Sequence, residues 1–171
     1  SLNMWLELFP NMHIYGMDRG DPVGSVDRAT IIQGDQSSQD DLNKLRDSII
    51  HPLFFINDDG SHIPEHQLLT FNTLFPTLVD GGVYIIEDVE TSYWTKNDCY
   101  GYPTRYGIGH EKSIIEIFKT AIDGVNYQIC GKRDGIVQHQ PHIHSITFSK
   151  NCIIILKKSP NDKPYNHTQY L

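Results

Sequence analysis

Two short segments concentrate the side chains most able to do chemistry. INDDGSHIPEH brings Asp58, Asp59 and His62 together, with Gly60 and Ser61 forming a tight turn between acid and imidazole. IIEDVETSYW sets Glu87 and Asp88 side by side. Massed carboxylates repel one another unless something positive or hydrogen-donating joins them. A set of ribose hydroxyls, an ammonium group or a divalent cation would meet that need. Asp59, Glu87 and Asp88 offer only oxygen ligands, which suit Mg²⁺ or a similar hard ion. An imidazole titrates near neutrality, so His62 beside these acids suits a general base. The plainer reading of His62 is a capping or supporting histidine.

The elements that must position these residues are legible from periodicity. SLNMWLELF has Leu2, Trp5, Leu6 and Phe9 at helical spacing and reads as the tail of an amphipathic helix ended by Pro10. HIYGMD, ATIIQGD, PLFFINDDG and GGVYIIED read as four strands, and each ends in acid: Asp18, Asp35, Asp58 with Asp59, and Glu87 with Asp88. QDDLNKLRDSII is a helix with acids in its first turn, as the helix dipole favours. PEHQLLTFNTLFPTLV is a helix with Leu68, Phe71, Leu74 and Leu78 on one side, and Pro76 disturbs its end. Strands alternating with helices imply crossovers and a parallel sheet. The continuous apolar runs LFFI and VYII fit strands covered on both faces. Ligands of open α/β sheets bind outside the carboxyl ends of the strands, so the acids gather on one rim. Farther on, EKSIIEIFKTAIDGV is a helix, and SITFS and CIIILKK are strands joined across Lys150 and Asn151 as an antiparallel hairpin. The turn-rich stretch with Gly20, Pro22 and Gly24, and the loop with Trp94, Tyr100 and Tyr102, link these elements. Residues 159–171 read as loose surface chain.

Composition narrows the function. With 171 residues the chain can build one domain with a sizeable core. A formal net charge of -7 argues against general nucleic-acid binding, which needs a basic face. No apolar run approaches the ~20 residues that span a bilayer, and SLNMWLELFP has no signal-peptide pattern, so no membrane partner is expected. Cys99, Cys130 and Cys152 are few and far apart, which fits free thiols and a cytoplasmic location.

The blocks IYGMD, IIQGDQSS, FFINDDGSH, LFPTLVDGGVYIIEDVETSYW, SIIEIFK and HSITFSKNCIIILKK resemble class I S-adenosylmethionine methyltransferases. They resemble most closely the metal-dependent sugar O-methyltransferases of macrolide biosynthesis. DDGSH and EDVETSYW are the specific blocks, and the likeness runs from about Ser1 to Lys158. It implies an α/β Rossmann-like sheet, mostly parallel with a C-terminal antiparallel hairpin, over residues 1–158. It implies that Asp18 accepts the ribose hydroxyls of S-adenosylmethionine, that Asp35 and Gln36 sit by the adenine, and that Asp58 lies near the methionine portion. Asp59, Glu87 and Asp88 would coordinate Mg²⁺, which would hold two vicinal hydroxyls of a sugar or glycosylated acceptor. His62 would take the proton of the hydroxyl being methylated. Homo-oligomers occur in the family. One departure stands out: the family's first strand and its E-x-G-x-x-x-G-G turn, which belong in the middle of the sheet, would precede Ser1 and are absent. Because the downstream site residues are intact, a start inside a longer protein is expected rather than a damaged copy.

Two other readings stay open. Cephalosporin-hydroxylase-like proteins share the fold and similar strand-end motifs, and a His/carboxylate site could hold iron for oxygen chemistry. A remnant without its first strand could be non-catalytic. HQPHIH reads as a loop and strand start, since no acid or cysteine flanks it at ligand spacing. His62 and His66 have the spacing of a helical zinc pair, but Gly60, Ser61 and Pro64 place His62 in a turn. Tyr93, Trp94 and Tyr100 either line a substrate pocket or pack their own loop.

Overall fold

The structure is a computed structural model that describes residues 2–20, 26–94, 105–131 and 135–163. Pro22, Gly24, Cys99, Tyr100, Tyr102 and the tail from 164 onward lie outside the described residues. Helix α1 (Leu2–Leu8) buries Leu6 and is followed by β1 (Ile14–Asp18) and β2 (Ala29–Gln33). These two strands pair in parallel, with Ile14 opposite Ala29 and Asp18 opposite Gln33. Helix α2 (Gln39–Ser48) starts where the Ser38 side chain accepts a bond from the Asp41 amide. Asp40 and Asp41 fill its first turn and Arg46 its last, matching both ends of the helix dipole.

Strand β3 (Leu53–Asp58) runs parallel to β4 (Leu78–Glu87). Between them, α3 (Pro64–Leu74) ends in a tight 3-10 turn over Phe75–Thr77. Pro76 thus closes the helix earlier than the periodicity implies, and Leu78 belongs to β4 rather than to the helix. The buried face of α3 also differs from the expected apolar one. It includes Gln67 and Thr70, while Leu68 is only half-buried. Both make a hydrogen bond inside: the Gln67 amide nitrogen donates to the Glu87 carbonyl (3.1 Å) and Thr70 donates to the His66 carbonyl (2.9 Å).

Helix α4 (Ile114–Val125) is capped by Ser113 and buries Ile114, Ile117, Phe118 and Ala121, a helical stripe. A single turn, α5 (Tyr127–Cys130), follows it. Strands β5 (Ile143–Ser149) and β6 (Cys152–Lys157) form the expected hairpin, and β6 lies antiparallel to β4. Phe71 of α3 packs edge-on against Tyr84 of β4 and Phe118 of α4, with ring centroids 5.1 and 5.0 Å away. Ile86, Ile153 and Ile155 complete this core from the sheet side.

Among the described residues the strands form two ladders rather than one continuous sheet. β1 and β2 make one ladder, and β3-β4-β6-β5 makes a second. Strand β3, expected to be covered on both faces, is partly open. Phe54 is 56% and Phe55 37% exposed, and the ring of Trp5 of α1 packs against Phe55 at 5.5 Å between centroids. The start of the expected loose tail is also fixed: the Asp162 carboxylate contacts His144 of β5 (2.9 Å) and accepts from the Ser159 amide.

Candidate active site

Gln36 brings the two ladders to a common rim. Its buried amide donates to Asp58 Oδ1 (2.6 Å), and its carbonyl oxygen accepts from the Ser61 amide (2.8 Å). The end of β2 is thereby tied to the end of β3. Gly60 makes this approach possible, because a Cβ there would collide with the Gln36 amide. Both ends of the Gln36 side chain are used in this brace.

Asp58, the last residue of β3, turns inward and is 4% exposed. Tyr84 donates to its second oxygen at 3.2 Å. Burial raises its pKa to about 7, against the opposing pull of the Gln36 and Tyr84 hydrogen bonds. Asp59 follows and comes out on the rim. The chain then turns through Ser61 to His62, whose φ of 55° is left-handed and unusual for a residue with a Cβ. Buried Thr91 holds that conformation by donating to the His62 carbonyl (2.7 Å). His66 Nδ1 lies 2.8 Å from the Ser61 hydroxyl, and His66 is outside the group that could share a metal among the described residues.

On the neighbouring strand, β4 ends at Glu87, and Asp88 takes a φ of 51° before a 3-10 turn over Val89–Ser92. Two left-handed residues of the site, His62 and Asp88, are therefore held in a costly backbone conformation on adjacent strand ends. His62 Nε2 lies 3.2 Å from Asp59 Oδ1 and 3.6 Å from Asp88 Oδ2. Ligand atoms of Asp59, His62 and Asp88 all fall within 4.8 Å of one another. Glu87 does not join this group.

Two carboxylates and an imidazole form a donor set that fits a divalent cation. Among the described residues, neither Asp59 nor Asp88 has a lysine or arginine partner. Their side chains are 50% and 42% exposed, hence reachable from solvent, while the His62 side chain is only 11% exposed.

The other expected site residues sit farther along the rim. Asp18 is exposed at the end of β1 and accepts from the Gly20 amide (2.7 Å). Asp35 accepts from both the amide and the hydroxyl of Ser37, and faces Arg19 at 3.3 Å. The Ser37 bonds hold its carboxyl below the usual range. Tyr93 is half exposed and Trp94 half-buried next to the Val89–Ser92 turn. Gln67, Tyr84 and Thr91 are supports that the sequence reading does not single out. Each is polar on a buried face, a signal that emerges only once the packing is known.

No family model matches the chain. Among curated proteins it is 43% identical to the mycinamicin VI 2''-O-methyltransferase of Micromonospora griseorubida, over 75% of this chain and 31% of that enzyme. It is 38% identical to the 8-demethyl-8-alpha-L-rhamnosyl tetracenomycin-C 2'-O-methyltransferase of Streptomyces olivaceus, over 68% of this chain and 31% of that enzyme. Among solved structures, the MycE methyltransferase of the mycinamycin pathway, in complex with Mg, SAH and mycinamycin VI, superposes with a TM-score of 0.80. That match has 29% identity and covers 98% of this chain and 42% of MycE. The fold is therefore that of MycE, as the resemblance implies. The chain spans about a third of the length of these curated relatives.

Proposed function

We propose that this chain, a homologue of the sugar O-methyltransferases, carries the metal- and cofactor-binding part of an S-adenosylmethionine-dependent, Mg²⁺-assisted O-methyltransferase acting on a hydroxyl of a sugar or glycosylated small molecule. The carrying observation is the convergence of Asp59, His62 and Asp88 within 4.8 Å at the ends of adjacent strands. Asp59 and Asp88 would hold the cation. Glu87 joins them as a candidate ligand on position alone, beside Asp88. A bound Mg²⁺ supplies Lewis acidity that lowers the pKa of a sugar hydroxyl, a poor nucleophile at neutral pH, and fixes its orientation.

His62 takes the hydroxyl proton on Nε2, the atom that faces both carboxylates. The hydroxyl oxygen then forms its bond to the methyl carbon as the carbon–sulfur bond breaks, leaving S-adenosylhomocysteine. Asp59 and Asp88 stabilise the imidazolium that results. Asp18 is assigned the ribose hydroxyls, and Asp35 the edge of the adenine. Gln36 acts indirectly, by bracing Asp58 and the Ser61 turn against the methionine end.

The O,O,N donor set favours one second reading, in which His62 is itself a ligand and the metal is iron, as in an oxygenase. Transfer of labelled methyl from S-adenosylmethionine to a glycosylated macrolide, with Mg²⁺ and then with chelator, tests the first reading. Metal-dependent transfer supports it. Copurifying iron with oxygen-dependent turnover and no methyl transfer supports the second.

A further inference from the structure

The turn of the β5–β6 hairpin lies against the acid rim, and one residue of it makes three contacts there. Asn151 donates from its side-chain amide to Asp88 Oδ1 at 2.7 Å. Its side-chain carbonyl accepts from the Glu90 amide at 2.9 Å. Its backbone carbonyl accepts from the Val89 amide at 3.4 Å. The turn has only two residues, Lys150 and Asn151, and Asn151 has a φ of 58°, a conformation that asparagine tolerates better than most residues. The ladder fixes its reach, because Glu87 is paired with Cys152, the residue next to it.

We infer that Asn151 is a positioning residue for the metal site, setting the Asp88 carboxylate from the far end of the chain. The inference rests on the metal-site reading above. Asp88 shares its two oxygens between two partners: Oδ1 is bound to Asn151, and Oδ2 faces His62. With Oδ1 tied, the carboxylate presents Oδ2 to the site as a single ligand atom. The second bond, to Glu90, and the third, to Val89, anchor the segment that follows Asp88, so its left-handed backbone is held from outside β4. Hydrogen-bonded supports of this kind orient the ligands they touch, and their loss typically weakens metal binding by ~10–100-fold.

The test titrates Mn²⁺ into the full chain, read by the paramagnetic resonance of the free ion, with S-adenosylhomocysteine affinity and melting temperature measured in parallel. N151G keeps the left-handed turn and removes the amide. It is expected to bind Mn²⁺ about 10–100-fold more weakly, with S-adenosylhomocysteine affinity unchanged. K150A, in the same turn, is expected to behave as wild type. Equal Mn²⁺ affinity in N151G and wild type overturns the inference alone. Absence of Mn²⁺ binding by wild type overturns the metal-site reading beneath it. A measurement on wild type stands in if N151G does not fold: the side-chain amide resonances of Asn151 should shift on Mg²⁺ addition, tracking site occupancy. Resonances that stay fixed through saturation overturn the inference.

Discussion

His62 Nε2 lies 3.2 Å from Asp59 Oδ1, across a turn of only Gly60 and Ser61. A flexible loop would not hold an imidazole against an acid three residues away. Here the turn is pinned twice, by Gln36 at the Ser61 amide and by Thr91 at the His62 carbonyl. Preorganisation of this sort is what a proton acceptor beside a metal-held hydroxyl requires.

His62→Ala separates the roles open to that imidazole. As a general base, its loss lowers turnover by ~10²–10⁴ while Mg²⁺ and cofactor affinities hold. As a ligand, its loss weakens metal binding first, and added Mg²⁺ recovers turnover. Turnover against Mg²⁺ concentration, measured in the complete enzyme, decides between them.

Asp18→Ala should weaken S-adenosylhomocysteine binding without unfolding the protein. Asp18 is exposed at the end of β1, and its carboxylate accepts from the neighbouring Gly20 amide. Two lost hydrogen bonds from ribose to a charged acceptor are worth about 1.5–3 kcal/mol, or ~10–150-fold in affinity. Calorimetry returning wild-type affinity would remove Asp18 from the ribose site.

Gln36→Leu should destabilise the fold by about 2–4 kcal/mol, because it leaves buried Asp58 and the Ser61 amide without their partner. Chemical denaturation measures this directly. A loss below about 0.5 kcal/mol, the ordinary range for an inconsequential surface change, would mean that the brace does not hold the two ladders together.

Asp58 gives the metal-free protein a pH signature. Burial raises its folded-state pKa from 3.8 to about 7. The folded form therefore holds this proton more tightly than the unfolded form. The associated stability is present at low pH and is lost as the pH rises from about 4 through about 7. The melting temperature should fall between pH 5 and pH 8, and Asp58→Asn should flatten that decline. An equally steep decline in Asp58→Asn would assign it to other groups.

Much of this arrangement is legible in the sequence, for identifiable reasons. Acids at strand ends need only strand periodicity to be placed on a rim, so Asp59, Asp88 and the nearby His62 could be grouped before any coordinates. The hairpin at Lys150 and Asn151 follows equally from spacing. Three features are not legible. Glu87 stands beside Asp88 in sequence yet is outside the group formed by Asp59, His62 and Asp88, and the left-handed turn at Asp88 has no glycine to announce it. Gln36 reads as a rim residue, yet its amide is drawn inward because Gly60 leaves room for it. Gln67 sits where periodicity expects apolar cover, and only the Glu87 carbonyl above it explains a buried amide.

The central claim is that Asp59 and Asp88 share a divalent cation beside His62. Its most direct test is the water-proton relaxation of Mn²⁺ titrated into wild type and into the Asp59→Asn/Asp88→Asn double variant, each checked for folding by circular dichroism. One enhanced site that Mg²⁺ displaces, present in wild type and lost in the variant, is the predicted result. Equal binding by both proteins, or none by the folded wild type, would contradict it.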